Sequence, residues 1–480
     1  MKNRIKQYLL AASMCVGLTA CSDFFEPIPG VQFGLDETFA SKQRTEEYLN
    51  NVYSYVREVT DAIHPNTYGG IFTEASLDGA NRWNKTYAEW TNGSFNSASA
   101  QASEYFSKYY QAIAKASTFI QNVDKCTEAA ASTRGKWKSE ARALRAYYYF
   151  ELLRLYGPIP LIGEDPIPLD ASLEELIKER NSVDECVNFI ATELQSAIDS
   201  GDLLQRAGKA NLGRMDVATC MALKAKLYLY WASPLFNGNT DQASVKNKDG
   251  KQLFPQTEDN SKWTQARDTY ERFMTFATGQ GYKLTEVYTN GKLDPYASCR
   301  AAGEFFTTTW EAVDELIFVK LRDLYDYTYW VCPKFTDFQD TDVTGGGGYY
   351  TTQETVDLFF TKDGLTIEED PGYDKFEGIP SANNFTSGRY YDPNNPSRLY
   401  FDADKSKVLK QWKDREPRFY VNITYSGSIW LNEGKYNEEM RTDFTNGANG
   451  TCGKSKASGD CPDSGYLIRR GAKASNNNGS

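Results

Sequence analysis

A chain of 480 residues with one histidine, His64, has little imidazole for acid–base work. That disfavours Ser-His-Asp hydrolases and histidine-ligated zinc enzymes. The supply of flat rings is rich instead, at 32 Tyr, 26 Phe and 9 Trp. Two stretches set such rings beside polar groups. Residues 76–90 carry Asp78, Asn81, Arg82, Trp83 and Trp90. Residues 323–330 carry Tyr327, Tyr329 and Trp330, and an acidic loop with Asp337, Asp340 and Asp342 follows. Aromatic faces stack on the apolar C–H face of a sugar, while carboxylate, amide and guanidinium groups bond its hydroxyls. Such chemistry recognises without breaking bonds. The competing reading of each ring is burial in a core, and Trp83 and Trp330 are the strongest candidates for ligand contact. A glycoside hydrolase would need two carboxylates facing each other across the scissile bond. Among 64 acidic residues some pair always exists, but no motif here fixes one. The acidic loop could hold a structural Ca²⁺, although its spacing is not that of an EF-hand and a solvated loop is the better reading. No cofactor is expected. Gly345 to Gly348 lack the Lys-Ser/Thr of a phosphate cradle and read as a flexible hinge.

Charge and hydropathy exclude further classes. With 53 Lys and Arg against 64 Asp and Glu the net charge is -11, so no nucleic-acid partner is expected. A mean hydropathy of -0.58 excludes a polytopic membrane protein. The amino terminus reads as an address. Lys2, Arg4 and Lys6 precede an apolar run too short to span a bilayer, which ends in Leu18-Thr19-Ala20-Cys21. A small residue followed by cysteine is a lipobox: the Cys21 thiol is diacylated and the new amine acylated, so several acyl chains give a stable membrane anchor. Of 9 cysteines, Cys15 leaves with the leader and Cys21 carries lipid. Cys126, Cys186 and Cys220 read as small buried hydrophobes, and Cys452 with Cys461 form the best disulfide candidate.

The elements that must position these residues are helical up to about residue 280. Apolar residues recur at helical spacing from Tyr48 to Val56, from Tyr105 to Val123, and along Val183, Val187, Ile190, Leu194 and Ile198. Glu140 to Tyr156 and Arg214 to Trp231 form further helices, and Trp263, Ala266, Tyr270 and Phe273 mark another face. Gly157-Pro158 is a stop signal, and Ser182 with Glu185 is a capping box. Helix pairs with alanines at close crossings resemble tetratricopeptide units, which bury their apolar faces only by stacking. Beyond about residue 285 Gly, Asp, Thr, Tyr and Pro dominate and the helical period is lost. The expected fold is mainly α, with tetratricopeptide-like helix pairs scaffolding a loop-rich second half of few short strands.

Four stretches then resemble one family. "SEARALRAYYYFELLRLYGPIPLI" (139–162) resembles the signature helix of the SusD/RagB lipoproteins. "GRMDVATCMALKAKLYLYWASPLFNG" (213–238) is similar to the family's second such helix, and "YYTTQETVDLFFTKDGLTI" (349–367) to the segment before its second half. "DREPRFYVNITYSGSIW" (414–430) resembles an Arg-Asp-Pro-Arg-Phe motif with Glu416 in place of Asp, and Gly465-Tyr466 through Arg469-Arg470 resembles the Gly-Tyr-x-x-Arg-Lys that follows. The resemblance implies a SusD-like fold and a non-catalytic, cell-surface glycan-binding lipoprotein. It would sit in the outer membrane through lipidated Cys21 and serve a SusC-like TonB-dependent transporter as partner. The implied ligand contacts are Asp78, Asn81, Trp83, Trp90, Tyr327, Tyr329 and Trp330. The implied organisation is a signal peptide (1–20), a helical scaffold (21–280) and a loop-rich ligand-binding half (281–480). A peptide-binding lipoprotein of the same fold is the alternative. Family members usually continue into further helices, so the ending Ser475-Asn476-Asn477-Asn478-Gly479-Ser480 leads to the expectation that the usual C-terminal helices are missing.

Overall fold

The structure is a computed structural model. It describes residues 33–57, 79–81, 93–163, 167, 171–303, 314–320, 331–333, 347–376, 378–430, 462 and 464–470, with residues 80, 81, 100–102 and 303 by backbone alone.

The first part is a run of helices packed in chain order: α1 (Leu35–Ala40), α2 (Lys42–Tyr53), α3 (Ala100–Asn122), α4 (Ala131–Tyr156), the single turn α5 (Leu173–Leu176), α6 (Val183–Asp199), α7 (Val217–Ala232) and α8 (Ser261–Gly279). The long helices touch in sequence: α3 packs on α4, α4 on α6, α6 on α7 and α7 on α8. Their ends follow from local chemistry. Ser182 accepts the Glu185 N–H while Glu185 accepts the Ser182 N–H at 2.7 Å, the reciprocal cap read from sequence. Asp216 caps α7 by accepting from the Thr219 N–H at 2.7 Å. At the end of α4, Gly157 takes φ 69 and ψ -134, a region open only to glycine, and a Cβ there would lie 3.0 Å from Phe254. The α4 helix begins nine residues before Glu140, at Ala131, and Tyr55 and Val56 lie in the turn beyond α2. Trp263, expected on the packed face of α8, is 41% exposed, while Ala266 and Phe273 are buried.

One hydrophobic cluster runs through these helices, and the alanines Ala112, Ala116, Ala141, Ala143 and Ala146 within it are fully buried. Cys126, Cys186 and Cys220 are buried as free thiols. Buried charge is threaded through the same core. Arg145 of α4 has no exposed surface, and its Nε donates to Glu193 of α6 at 2.8 Å. Nη1 of Arg145 donates to Ser117 of α3 at 3.1 Å, and Nη1 of Arg142 takes the other Glu193 oxygen at 3.1 Å. One guanidinium, that of Arg145, therefore ties three helices, α3, α4 and α6.

The second part has shorter elements: β2 (Tyr288–Thr289), β3 (Lys292–Leu293), α9 (Pro295–Gly303), β4 (Tyr349–Tyr350), α10 (Gln353–Asp357), β5 (Arg389–Asp392), β6 (Asn395–Asp402), α11 (Pro417–Asn422), β7 (Ile423–Tyr425) and β8 (Tyr466–Ile468). The early β1 (Ala80–Asn81) joins them. Its core is a second cluster, of Tyr296, Val356, Tyr400, Phe401, Val408, Trp412, Phe419, Tyr420, Ile423, Tyr425 and Tyr466 among others. Tyr400 and Tyr420 stack at 3.9 Å and 9° within it. Arg398 fastens β6 to α9, donating to buried Asp294 at 3.0 Å through each terminal nitrogen and to Asp392 at 2.6 Å. The fold is thus mainly α with few short strands, as the sequence led one to expect.

Two tests follow. Glu193→Ala leaves the Arg145 charge buried without a counter-charge, which costs about 3–5 kcal/mol. Urea unfolding of Glu193→Ala and of the double replacement Arg145→Met, Glu193→Leu should show a large loss for the first and most of the stability restored in the second. The second test is acid unfolding. Burial alone would raise Asp294, but bonds from Arg398, Ala297 and Thr289 hold it at about 2, below its ordinary 3.8. Glu185, bonded by Lys251 and the Ser182 N–H, is also down at about 2. Depressed carboxylates stabilise the fold above their unfolded values and lose that contribution as pH falls toward their folded ones. Stability should therefore drop between about pH 4.5 and 2, and Asp294→Asn should flatten the lower part of that decline.

Candidate functional site

Short aromatic and β-branched stretches favour extended chain, and three of them, with Ala80-Asn81, form one sheet. Its strand order is β1-β4-β8-β7, antiparallel throughout. Ala80 lies opposite Tyr350 and Asn81 opposite Tyr349. Tyr350 also faces Leu467, and Tyr425 faces Tyr466. All three residues of β7 are buried, so this strand is covered on both faces. The entry to β1 is tight. A Cβ on Gly79 would lie 2.9 Å from both the Tyr349 hydroxyl and Ile468 Cδ1. A side chain at this position would have to displace the ends of the Tyr349 and Ile468 side chains.

The chain just after the other aromatic stretch is tied to the entry of the same strand. Val331, Cys332 and Pro333 are buried, and the Gly347 N–H donates to the Cys332 carbonyl at 3.0 Å. Gly347 and Gly348, read from sequence as part of a flexible hinge, are buried and lead directly into β4; Gly345 lies outside the described residues. Cys332 and Gly347 are therefore bonded to each other just before β4. Ala80 and Asn81 on one side and Cys332, through Gly347, on the other are the described residues brought to this strand.

Below the sheet lies a rigid aromatic support. Trp412 and Tyr425 approach to 4.9 Å, and Phe419 and Tyr425 to 5.1 Å. Nε1 of Trp412 donates to the Tyr466 hydroxyl at 3.1 Å, and that hydroxyl donates to Gln353 at 2.7 Å. Burial pushes the Tyr466 phenol up to about 12 and Tyr425 higher, so both stay protonated at neutral pH. Two arginines of the sequence motifs are structural rather than ligand-facing. Arg415 donates to the carbonyls of Val356 and Phe359 at 2.6 and 2.7 Å and to the Tyr373 hydroxyl at 2.6 Å. Arg469 donates to the Ile429 carbonyl at 2.7 Å and lies over the Trp430 ring at 5.5 Å. The aromatics Phe419, Tyr420, Tyr425 and Trp430 are core, a role the sequence alone did not separate from ligand contact.

Of the residues expected to meet ligand, Asn81 sits on β1, which the sequence read as loop. Asp78, Trp83, Trp90, Tyr327, Tyr329 and Trp330 lie outside the described residues, as do Asp337, Asp340, Asp342 and the lipobox Cys21. Among the described residues no group of three or more His, Cys, Asp or Glu could hold a metal ion. The sequence missed β1 because two residues give no period to read. The one available signal was Gly79-Ala80, a small pair where two strands crowd.

Residues 315–480 match the family model described as "SusD family", and residues 32–229 match one described as "Starch-binding associating with outer membrane". The chain belongs to the SusD family. A SusD-like protein of Bacteroides ovatus is 27% identical over 175 residues. That match covers 35% of this chain and 30% of the relative, so it spans under a third of the relative's length. The solved structure of BT4246 is similar at a TM-score of 0.72 and 24% identity, covering 90% of this SusD-family chain and 73% of that one. A SusD-like protein of Bacteroides fragilis, BF3747, gives 0.63 and 20%, covering 93% and 72% of the two chains. A SusD-like carbohydrate binding protein of the same species, BF0978, gives 0.58 and 17%, covering 90% and 68%. These three show the shared fold.

The crowding at β1 is testable. Gly79→Val forces atoms into Tyr349 and Ile468 and should cost about 1–3 kcal/mol. Gly34→Val, where nothing lies within 4 Å of a Cβ, is the control. Equal thermal stability of the two variants would show that β1 is not docked as described.

Proposed function

We propose that this protein is a cell-surface lipoprotein that captures a glycan and delivers it to a TonB-dependent outer-membrane transporter, without catalysis. The observation that carries the reading is the convergence on β4. Pairing of Asn81 with Tyr349 and the Gly347–Cys332 bond bring to one strand of a SusD fold the described residues that border, in sequence, two segments rich in Trp, Tyr, Asp and Asn. A platform held by buried phenols and carbonyl-bound arginines suits recognition, because a sugar-stacking ring works only when its plane is fixed. The starch-binding description of the family model that matches residues 32–229 supports the same reading, as does the name of the carbohydrate binding protein of B. fragilis that shares the fold.

In this reading Asp78 and Asn81 bond sugar hydroxyls, while Trp83, Trp90, Tyr327, Tyr329 and Trp330 supply stacking faces. Residues 21–280 are the scaffold and 281–480 the ligand-binding half. Cys21 carries the acyl chains that hold the protein to the outer membrane. No described helix is long and apolar enough to cross a membrane, so attachment by lipid is the form of anchoring proposed.

A glycan array probed with the chain from Ser22 onward tests this, followed by calorimetry on each hit. Trp83→Ala and Trp330→Ala should each weaken binding at least about ten-fold, or ~1.4 kcal/mol. Release of product from any bound oligosaccharide would make the protein an enzyme. Silence across the array from folded protein, with binding to an unmodified peptide library, would replace the glycan by a peptide.

A further inference from the structure

A cleft of about 370 Å³ opens between α6, α7 and α8, remote in sequence from the sheet. Its size falls in the range of small-molecule sites, about 300–1,000 Å³. The central helix α7 forms the floor with Met221, Lys224 and Tyr228, spaced so as to share one face. Gln195 comes from α6, and Gln265 and Arg272 from α8.

The charge in this cleft is unusual for so acidic a protein. Lys224 and Arg272 line one cavity, and among the described residues neither has a carboxylate within ion-pair distance. Nζ of Lys224 donates at 2.7 Å to the neutral Gln195 side chain. Nε of Arg272 donates to the Asp268 carbonyl at 3.1 Å, while the Asp268 carboxylate is taken by Arg267. Asp199 is the nearby anion. It is held by the Gln195 amide at 2.7 Å and attracts Lys224 from beyond contact range. Burial and the neighbouring Arg272 both hold the Lys224 ammonium below its ordinary range. Lys224 is half-buried and Arg272 exposed, and two like charges lining one cleft are relieved by an anion placed between them.

The rest of the lining narrows the ligand. Gln265 offers an amide suited to hydroxyls, the Gln195 amide being engaged by Lys224 and Asp199, and Ile198, Met221 and the Tyr228 ring offer an apolar wall. Carboxylate, hydroxyls and an apolar C–H face belong together in a sugar acid. We propose that the cleft between α6, α7 and α8 is a second binding site, which takes a hexuronate unit with its carboxylate between Lys224 and Arg272. The choice of a sugar acid over other carboxylates rests on the glycan-binding reading, whereas the anion site rests on the cleft alone.

The test titrates the full chain with glucuronate, glucose and acetate, followed by calorimetry and by amide NMR shifts. Glucuronate should bind at least about ten-fold tighter than either glucose or acetate, and added salt should weaken it. Lys224→Gln and Arg272→Gln remove no ion pair, so they should melt as the parent does and each lose about ten-fold in glucuronate affinity. Glucuronate binding no tighter than glucose, or unchanged in both variants, overturns the site. Acetate matching glucuronate overturns the sugar acid. A Glu-rich peptide that binds in a Lys224-dependent way, while glucuronate does not, makes the occupant an acidic protein segment and overturns the proposal too. Because these probes are monosaccharides read at the helical cleft, failure here is distinct from failure of glycan capture in the array.

Discussion

A guanidinium that no water reaches must find its counter-charge inside the protein, because the desolvated ion is otherwise too costly to hold. Arg145 meets that constraint through Glu193, and the geometry of the helical part depends on it. Glu193 can satisfy Arg142 and Arg145 together only if α4 and α6 pack at one register, and Arg145 reaches Ser117 only if α3 is seated as well. The same device recurs along the stack. Glu140, raised by its burial, accepts from the Tyr53 hydroxyl at 2.8 Å and from Arg214 at 3.1 Å, which joins α2, α4 and the entry to α7. Glu151 lies between Arg57 and Arg154. Apolar burial drives these helices together, and the buried charges select which faces meet.

The second part solves its packing differently. Its buried cations, Arg415 and Arg469, donate to main-chain carbonyls and lie over Phe419 and Trp430. Each arginine thereby satisfies carbonyls of irregular chain that no ladder could reach, which lets loops be buried beside an aromatic core. The two parts divide the work: regular helices give a stiff body, and arginine-fastened loops give the surface its shape.

How much of this was legible in the sequence depended on period. The helices could be read because α3 and α6 repeat their apolar residues every three to four positions, whereas α4 and α7, buried on most sides, show little period; the Ser182 cap and Gly157 stop are local signals. Trp263 misled because its spacing fits the packed face of α8 while it lies past the edge of the neighbouring helix contact. The two candidate ligand stretches were visible as composition. The pairing of Asn81 with β4 was not, since a two-residue strand such as β1 has no period and its partner Tyr349 stands far along the chain. The buried glycines before β4 read as a hinge for the same reason: composition reports freedom, and only tertiary contacts remove it. The cationic cleft was equally hidden, being built from single residues on three helices.

The sheet order has a consequence for how the molecule comes into being. Strands β1, β4, β7 and β8 are drawn from residues 80–81, 349–350, 423–425 and 466–468, so the sheet closes only after nearly the whole of that span has left the ribosome. The helices, each resting on its chain neighbour, can assemble from the amino end as they emerge. The stiff body therefore forms early and the surface of the sheet late. A partly made chain would carry a folded scaffold with no completed platform on it.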